Sequence, residues 1–190
     1  MNTLFISTYS ELLTIGILLN GKITLIKEKI SERSHSANLI PLIESVLSEK
    51  NIDINEINEL IVINGPGSFT GVRLGVTVAK TLAFTLKIPI KTVTSIEALA
   101  VSDSNQDRKL VTINDNKGKY FGLFENNKLL SEIKYHSEAE FHNFHKENKY
   151  PLINVIKLDM EAIYDYVLDS NSLNPHEVKA VYIKTIEVEQ

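Results

Sequence analysis

The sequence predicts an α/β protein in which three strands, a helix, a strand and a helix follow one another, and in which this order occurs twice. Short apolar runs of strand length alternate with longer segments whose apolar residues recur at helical spacing, and turn residues separate them. Three antiparallel strands followed by alternating helices and strands form a mixed sheet with helices packed on its faces. We therefore expect two such units of sheet and helices in tandem.

The first half of the chain carries the clearer pattern. Asn20-Gly21 joins two apolar runs and is a typical two-residue hairpin turn. Leu39, Ile43 and Val46 recur at helical spacing after a serine-rich turn. Strands are predicted at residues 3–8, 12–19, 22–30, 60–63 and 90–93, and helices at residues 36–50, 71–86 and 95–101.

The second half repeats the order after a polar stretch at residues 102–108, where we place a domain boundary. This gives an N-terminal domain of residues 1–103 and a smaller C-terminal domain of residues 104–190. Ser137 and Asp159 each precede a helical pattern and can cap it. Strands are predicted at residues 110–114, 120–125, 129–135 and 152–156, and helices at residues 138–146 and 160–168.

Composition excludes several classes of protein. The chain has 190 residues, a formal net charge of −4, 43% hydrophobic residues and no cysteine, so disulfides, thiolate metal sites and thiol catalysis are excluded. It has three arginines, Arg33, Arg73 and Arg108, and no clustered basic patch, which argues against direct tight binding of nucleic acid. No stretch reaches the roughly 20 apolar residues of a membrane span. We expect a cytoplasmic protein.

A glycine-rich turn stands between the predicted strand at residues 60–63 and the helix that follows it. Four of the eight glycines fall within eleven residues of this turn and the start of the helix, namely Gly65, Gly67, Gly71 and Gly75. Such a turn can bring backbone N–H groups to a phosphate, but the spacing matches neither a P-loop nor a dinucleotide-binding fingerprint. A tight turn with close helix packing remains equally compatible with this spacing.

The helix at residues 71–86 is apolar on nearly all sides. Its polar strip is narrow and consists of Arg73, Thr77, Lys80, Phe84 and Lys87. A helix of this kind must be covered on most of its surface, either by its own chain or in part by a partner protein.

The order of the elements matches the actin-like, ribonuclease-H-like (ASKHA) architecture, and the central segment resembles one family closely. GPGSFTGVRLGVTVAKTLAF at residues 65–84, followed by SIEALA at residues 95–100, is similar to the signature of the bacterial TsaB (YeaZ) family. The opening LFISTYS, the segment around Ser34-His35-Ser36, the hairpin at residues 115–120 and the closing VYIK at residues 181–184 resemble further family segments in the right order.

This resemblance implies two actin-like domains, the second reduced, and a partner subunit without chemistry or a cofactor of its own. Family members pair with the catalytic paralogue TsaD, which transfers threonylcarbamoyl to adenosine 37 of transfer RNAs that read codons beginning with A. The ATPase subunit TsaE joins through the complex, and a self-paired homodimer forms when TsaD is absent. The first two helices of the N-terminal domain form the pairing surface. The interface residues predicted on this basis are Leu39, Leu42, Ile43, Val46, Arg73, Thr77, Lys80 and Phe84, and the predicted structural turn is Gly65, Pro66, Gly67, Ser68, Phe69, Thr70 and Gly71.

The same resemblance locates the catalytic features that this sequence lacks. Where catalytic relatives carry a metal-binding His-x-x-x-His motif, this chain has Ser95 and Leu99, and leucine cannot bind a metal. Ser7 stands in the first strand where the wider actin-like class carries an aspartate. We expect no catalytic residue and no metal site. The alternative function is an actin-like ATPase or phosphotransferase that uses the Gly65–Gly71 turn for phosphate.

Three histidines, His136, His142 and His145, fall close together in the sequence and could contribute to a metal site. No carboxylate has a comparably clear place beside them. We interpret them as part of a solvated helix face.

Overall fold

Two mixed sheets follow one another along the chain in the computed structural model, which describes residues 1–31, 34–105, 107–153 and 157–183. The strands are β1 (Asn2–Ser7), β2 (Leu12–Leu19), β3 (Lys22–Ile30), β4 (Ile57–Ile63), β5 (Ile90–Val93), β6 (Lys109–Asp115), β7 (Gly118–Glu125), β8 (Lys128–Leu129), β9 (Lys134–Ser137) and β10 (Leu152–Ile153). The helices are α1 (His35–Lys50), α2 (Phe69–Leu86), α3 (Ser95–Ser102), α4 (Glu138–Asn148) and α5 (Met160–Leu168).

The first sheet has the strand order β3-β2-β1-β4-β5. β1, β2 and β3 are antiparallel neighbours, whereas β4 pairs parallel to β1 and β5 parallel to β4. The predicted hairpin turn is confirmed, since Asn20 and Gly21 have φ angles of 50° and 79°, the positive values that a two-residue turn of type I′ needs. The mixed sheet and the actin-like fold expected from the sequence are therefore present.

Helices cover both faces of this sheet. α1 and α2 pack on one face, where the buried residues include Leu39, Val46 and Ala79. α3 and α5 pack on the other face, where Ile163 and Val167 of α5 join buried side chains of the first sheet. Because helices cover both faces, β1 and β4 are buried at almost every position.

The second sheet has the order β10-β6-β7-β8, with β9 also paired to β7. The single strand predicted at residues 129–135 is wrong, because β8 and β9 are two short strands on the same side of β7. Leu129 pairs with Phe124 and Lys134 pairs with Phe121, so six residues of this segment span the length of four residues of β7. The two extra residues form a bulge that interrupts the ladder. Of the predicted strand 152–156, residues 154–156 lie outside the described residues.

The caps predicted at Ser137 and Asp159 are confirmed. Thr94 before α3 and Ser137 before α4 each form a capping box with the glutamate three residues later, and the Asp159 carboxylate accepts N–H groups of α5. Each cap fixes where a helix leaves its sheet. Along the described residues, no helix has the length and apolar character needed to cross a membrane.

The chain returns to the first half after the second sheet. α5 packs against α3 and β5, and the segment that follows it, residues 173–183, runs back along the first sheet and α2. We call residues 173–183 the C-terminal segment. The boundary expected near residue 103 stays a prediction, because both of these later elements pack on the first half.

Candidate partner-binding face

The glycine turn brings the start of α2 against the loop after β1. A Cβ atom added to Gly71 would lie 2.2 Å from the Thr8 carbonyl oxygen, and one added to Gly67 would lie 2.2 Å from the Tyr9 carbonyl oxygen. Since real Cβ atoms do not approach so closely, both positions require glycine. The turn therefore sets how near α2 lies to β1.

The polar groups of this turn are directed to the chain itself. The Ser68 N–H donates to the Tyr9 carbonyl at 2.7 Å, and the Gly71 N–H donates to the Ser68 hydroxyl at 3.2 Å. The Thr8 hydroxyl donates to the Gly71 carbonyl at 2.7 Å. Carbonyl oxygens thus lie where a phosphate would need donors, so the geometry favours the tight-turn interpretation over phosphate binding.

The start of α3 is also tied to the turn. The Ser95 hydroxyl is fully buried and donates to the Pro66 carbonyl. Leu99, one turn further along α3, lines a cavity of ≈130 Å³ together with Tyr9 and Lys157. This volume is below the roughly 300 Å³ at which ligand pockets begin. Ser7, the last residue of β1, is fully buried. Its hydroxyl has no hydrogen-bond partner among the described residues.

The described residues contain no group of three or more histidine or acidic side chains that could hold a metal ion. His142 is exposed on α4, in agreement with a solvated helix face. His145 differs, because its Nε2 lies 2.9 Å from the Tyr150 carbonyl and its ring stacks on Phe141. His136 lies on β9 with its ring edge-on to Phe121.

The interface predicted on α1 is wrong for three of its four residues. Leu39 and Val46 have 0% of their surface exposed and Ile43 has 4%, because this stripe of α1 faces the sheet. Leu42 is partly buried against the same core. Helical spacing identified the apolar stripe correctly, but the sheet of the same chain covers it.

The exposed part of α1 lies one step around the helix. Ile40 is 44% exposed, and Pro41 and Glu44 are exposed as well. Lys27 of β3 contacts Ser45 on the flank of α1 that lies above β3. At 100° per residue, Ile40 projects on the opposite flank, toward α2.

On α2 the predicted residues are nearer to the surface. Arg73 and Thr77 are exposed, Phe84 is 61% exposed and Lys80 is partly buried. Leu74 and Val78 are partly buried on the flank toward α1. We define the docking face as eight exposed residues on the adjacent sides of the two helices, namely Ile40, Pro41, Glu44, Thr70, Arg73, Thr77, Thr81 and Phe84.

The C-terminal segment borders this face on the other flank of α2, a contact that sequence reasoning missed. The Lys80 ammonium donates to the Val178 carbonyl at 3.1 Å, and the His176 ring lies 5.1 Å from the Phe84 ring. Val178 is buried, and the Val181 N–H donates to the Asn64 carbonyl at 2.8 Å. The contacts join positions about 100 residues apart in the sequence, so local patterns carried no signal for them.

Arg73 lies between two aromatic rings at the edge of the face. Its guanidinium carbon is 3.6 Å from the centroid of Phe69 and 5.3 Å from that of Tyr182, and its Nε donates to the Tyr182 hydroxyl at 2.7 Å. The two rings are themselves 5.5 Å apart. Cation–π contacts of this kind hold a guanidinium in one orientation.

The fold and this surface define a class of protein: an actin-like α/β protein with a small cleft, a glycine turn packed against its own chain and an exposed two-helix face. Residues 26–143 match the family model described as tRNA N6-adenosine threonylcarbamoyltransferase (TsaD). The chain belongs to this family, and its curated relatives carry the name TsaB.

Curated relatives and a solved structure resemble this chain. The chain is 39% identical over 125 residues to the tRNA threonylcarbamoyladenosine biosynthesis protein TsaB of Bacillus subtilis, covering 63% of this chain and 55% of the relative. It is 30% identical to TsaB of Escherichia coli, covering 53% of this chain and 43% of the relative. The chain therefore spans about half the length of the curated relatives it matches. A crystal structure from Pseudomonas aeruginosa, described as similar to peptidase YeaZ, superposes with a TM-score of 0.81 at 18% identity, covering 96% of this chain and 99% of that one. This likeness shows the fold.

Proposed function

We propose that this protein is a non-catalytic subunit that pairs with a TsaD paralogue and enables threonylcarbamoyl transfer to adenosine 37 of transfer RNAs reading codons that begin with A. Support for the pathway comes from the relatives, which are named for tRNA threonylcarbamoyladenosine biosynthesis. The match of this chain to the transferase family model supports the transferase paralogue as the partner.

The observation that carries the non-catalytic role is the identity of two side chains on α3. Ser95 and Leu99 stand where the resemblance implies the metal-binding histidines of the catalytic paralogue. The Ser95 hydroxyl is committed to the Pro66 carbonyl, and Leu99 offers no ligand atom. A chain built in this way contributes to catalysis through its partner and needs no cofactor of its own.

The docking face supports pairing through α1 and α2. Exposed apolar side chains are present at Ile40 and Phe84, and Thr77 and Thr81 between them are small enough to let another helix approach. A pairing of standard size buries about 1,600 Å² in total, which two helices and their margins can supply. The same face would serve self-pairing when the partner is absent, and TsaE would join through the complex in the cytoplasm.

A reconstituted transfer reaction tests this function. The full chain is mixed with the TsaD paralogue of the same organism, TsaE, threonylcarbamoyl adenylate and unmodified transfer RNA, and the modified nucleoside is measured by mass spectrometry. We expect product with both subunits present and none with this chain alone. Product at an unchanged rate without this chain would contradict the proposal.

Matched variants connect that activity to the face. Ile40→Glu places a charge on the docking face, whereas Leu130→Glu makes the same change at a residue of similar exposure, 45% against 44%, on the second sheet. We expect Ile40→Glu to lower partner-dependent product at least tenfold and Leu130→Glu to leave it unchanged. Equal effects of the two variants would contradict the role of the docking face in partner binding.

A further inference from the structure

Arg73 is held at the edge of the docking face as a preformed binding group. Phe69 and Tyr182 stack against the guanidinium, and Nε is engaged by the Tyr182 hydroxyl at 2.7 Å. The side chain is nevertheless exposed to solvent. An arginine usually loses rotamer freedom when it binds, and here much of that loss has already occurred within the folded chain.

The outer nitrogens of this guanidinium remain available. Arg73 has no carboxylate within 4.0 Å among the described residues, whereas Arg108 is paired with Glu125 at 3.2 Å. With Nε engaged, the two Nη groups are a planar pair of donors without an acceptor among the described residues. Paired N–H donors of this kind bind a carboxylate in a bidentate manner.

The C-terminal segment keeps Tyr182 in position. Asn64 accepts the Val181 N–H at 2.8 Å and donates its side-chain amide to the Lys179 carbonyl at 3.2 Å. Val178 is buried in the core beneath α2. These contacts hold the backbone of the C-terminal segment in place, and Tyr182 therefore lies against Arg73.

The charges around Arg73 favour an anionic group. α2 contains no acidic residue, and Lys80 lies two turns further along the helix with carbonyl oxygens as its partners. The chain as a whole has a net charge of −4, whereas the charged residues of α2 are Arg73 and Lys80 only. A carboxylate on a docking helix would meet a positive surface here.

We propose that Arg73, clamped by Phe69 and Tyr182, is an anchor of the docking face that binds a carboxylate side chain of the partner protein. The inference rests on the proposed function and adds the chemistry of recognition to it. A protein carboxylate is favoured over an RNA phosphate because Arg73 lies on the same helix as Thr77 and Phe84, within the face itself. The C-terminal segment is then part of the binding site, since it supplies Tyr182.

Titration calorimetry with the full chain and the TsaD paralogue of the same organism tests this proposal. We expect Arg73→Gln to weaken binding at least tenfold and Arg73→Lys to weaken it less, because lysine keeps the charge but loses the paired donors. Tyr182→Phe, which removes the hydroxyl and keeps the ring, is expected to weaken binding two- to fivefold. Arg108→Gln is the matched control, since it removes an exposed arginine from the second sheet, and it should bind as the wild type does.

Salt dependence separates a charge contact from a packing effect. Raising the salt concentration from about 0.05 M to 0.5 M should weaken wild-type and Arg108→Gln binding by similar factors and Arg73→Gln binding by a smaller factor. Unchanged thermal unfolding of Arg73→Gln would show that the variant is folded. Wild-type affinity of Arg73→Gln for the partner would overturn the carboxylate anchor while leaving the proposed function intact, whereas failure of the wild type to bind would overturn both.

Two other occupants are outcomes of the same experiment. Glu187 and Glu189 follow the C-terminal segment in the sequence, so removal of residues 184–190 is part of the test. If removal of residues 184–190 strengthens partner binding and abolishes the effect of Arg73→Gln, the chain itself is the occupant and the proposal is overturned. If Arg73→Gln lowers the affinity for transfer RNA and leaves partner binding unchanged, the anion is a phosphate, which also overturns it.

Discussion

The ammonium of Lys109 lies 2.8 Å from the carbonyl oxygen of Ala100, so a fully buried lysine on β6 closes the C-terminal end of α3. Asn105 and Asp103 supply its remaining acceptors, at 2.5 Å from the Asn105 carbonyl and 3.3 Å from the Asp103 carboxylate. This one side chain joins the last helix of the first half to the first strand of the second. It therefore helps to fix how the two sheets are arranged.

Replacement of Lys109 by methionine is expected to destabilise the protein by about 3 kcal/mol, because the buried carbonyls at the end of α3 lose their donor. Urea unfolding followed by circular dichroism measures the change. Lys128→Met removes an exposed lysine from β8 and should alter the unfolding free energy by less than about 0.5 kcal/mol. A loss below about 1 kcal/mol for Lys109→Met would show that water replaces the ammonium.

Gly71→Ala is expected to destabilise the protein by about 2–4 kcal/mol, since the new Cβ would meet the Thr8 carbonyl at 2.2 Å. The sign is diagnostic, because glycine-to-alanine changes inside helices normally stabilise them. Thr81→Ala on the exposed side of the same helix is the control and should be neutral or slightly stabilising. Thermal unfolding compares the three proteins, and a Gly71→Ala variant as stable as the wild type would contradict the close approach of α2.

Substitutions of Ile43 and Ile40 distinguish the side of α1 that packs on the core from the side that belongs to the docking face. Ile43→Ala should lower the unfolding free energy by about 2–4 kcal/mol, because its side chain is buried in the core. Ile40→Ala should change stability by less than about 0.5 kcal/mol and weaken partner binding instead. The opposite assignment of the two effects would mean that the exposed face of α1 has been misidentified.

The buried carboxyl of Glu59 predicts a dependence of stability on pH. Burial raises the pKa of Glu59, and Lys91, 3.8 Å away, only partly offsets it. Between the ordinary glutamate pKa of the unfolded chain, near 4.3, and the raised pKa in the folded protein, the folded protein keeps a proton that the unfolded chain has released. The contribution of Glu59 to stability is therefore lost as the pH rises through this interval. Relative to Glu59→Gln, the wild type should lose stability as pH increases from 4 to 8.

Chemical unfolding at several pH values measures this difference. Glu132→Gln, at an exposed position, is the control and should follow the wild type throughout. A constant difference between wild type and Glu59→Gln across the range would contradict the raised pKa.

Local signals in the sequence predicted most of the elements. The Asn20-Gly21 turn predicted the β2–β3 hairpin, and Ser137 and Asp159 marked two helix starts, because each of these interactions lies within a few residues. The bulge between β8 and β9 was missed, since it depends on how two strands share the edge of β7. Non-local pairing of this kind leaves no periodic pattern in the sequence.

The candidate site was predicted less completely. Apolar periodicity showed that Leu39, Ile43 and Val46 face something apolar, but it could not show that the covering surface is the sheet of the same chain. Arg73 was placed on the docking face, yet its two aromatic neighbours were not. Tyr182 reaches it only through a segment that is 109 residues away in sequence.

A titration of this chain with the TsaD paralogue of the same organism tests the central claim most directly. The account predicts a complex of one copy of each protein for the wild type, and binding at least tenfold weaker for Thr77→Arg, which places a long charged side chain in the middle of the docking face. Wild-type affinity for Thr77→Arg, or no heat of binding for the wild type itself, would contradict the account.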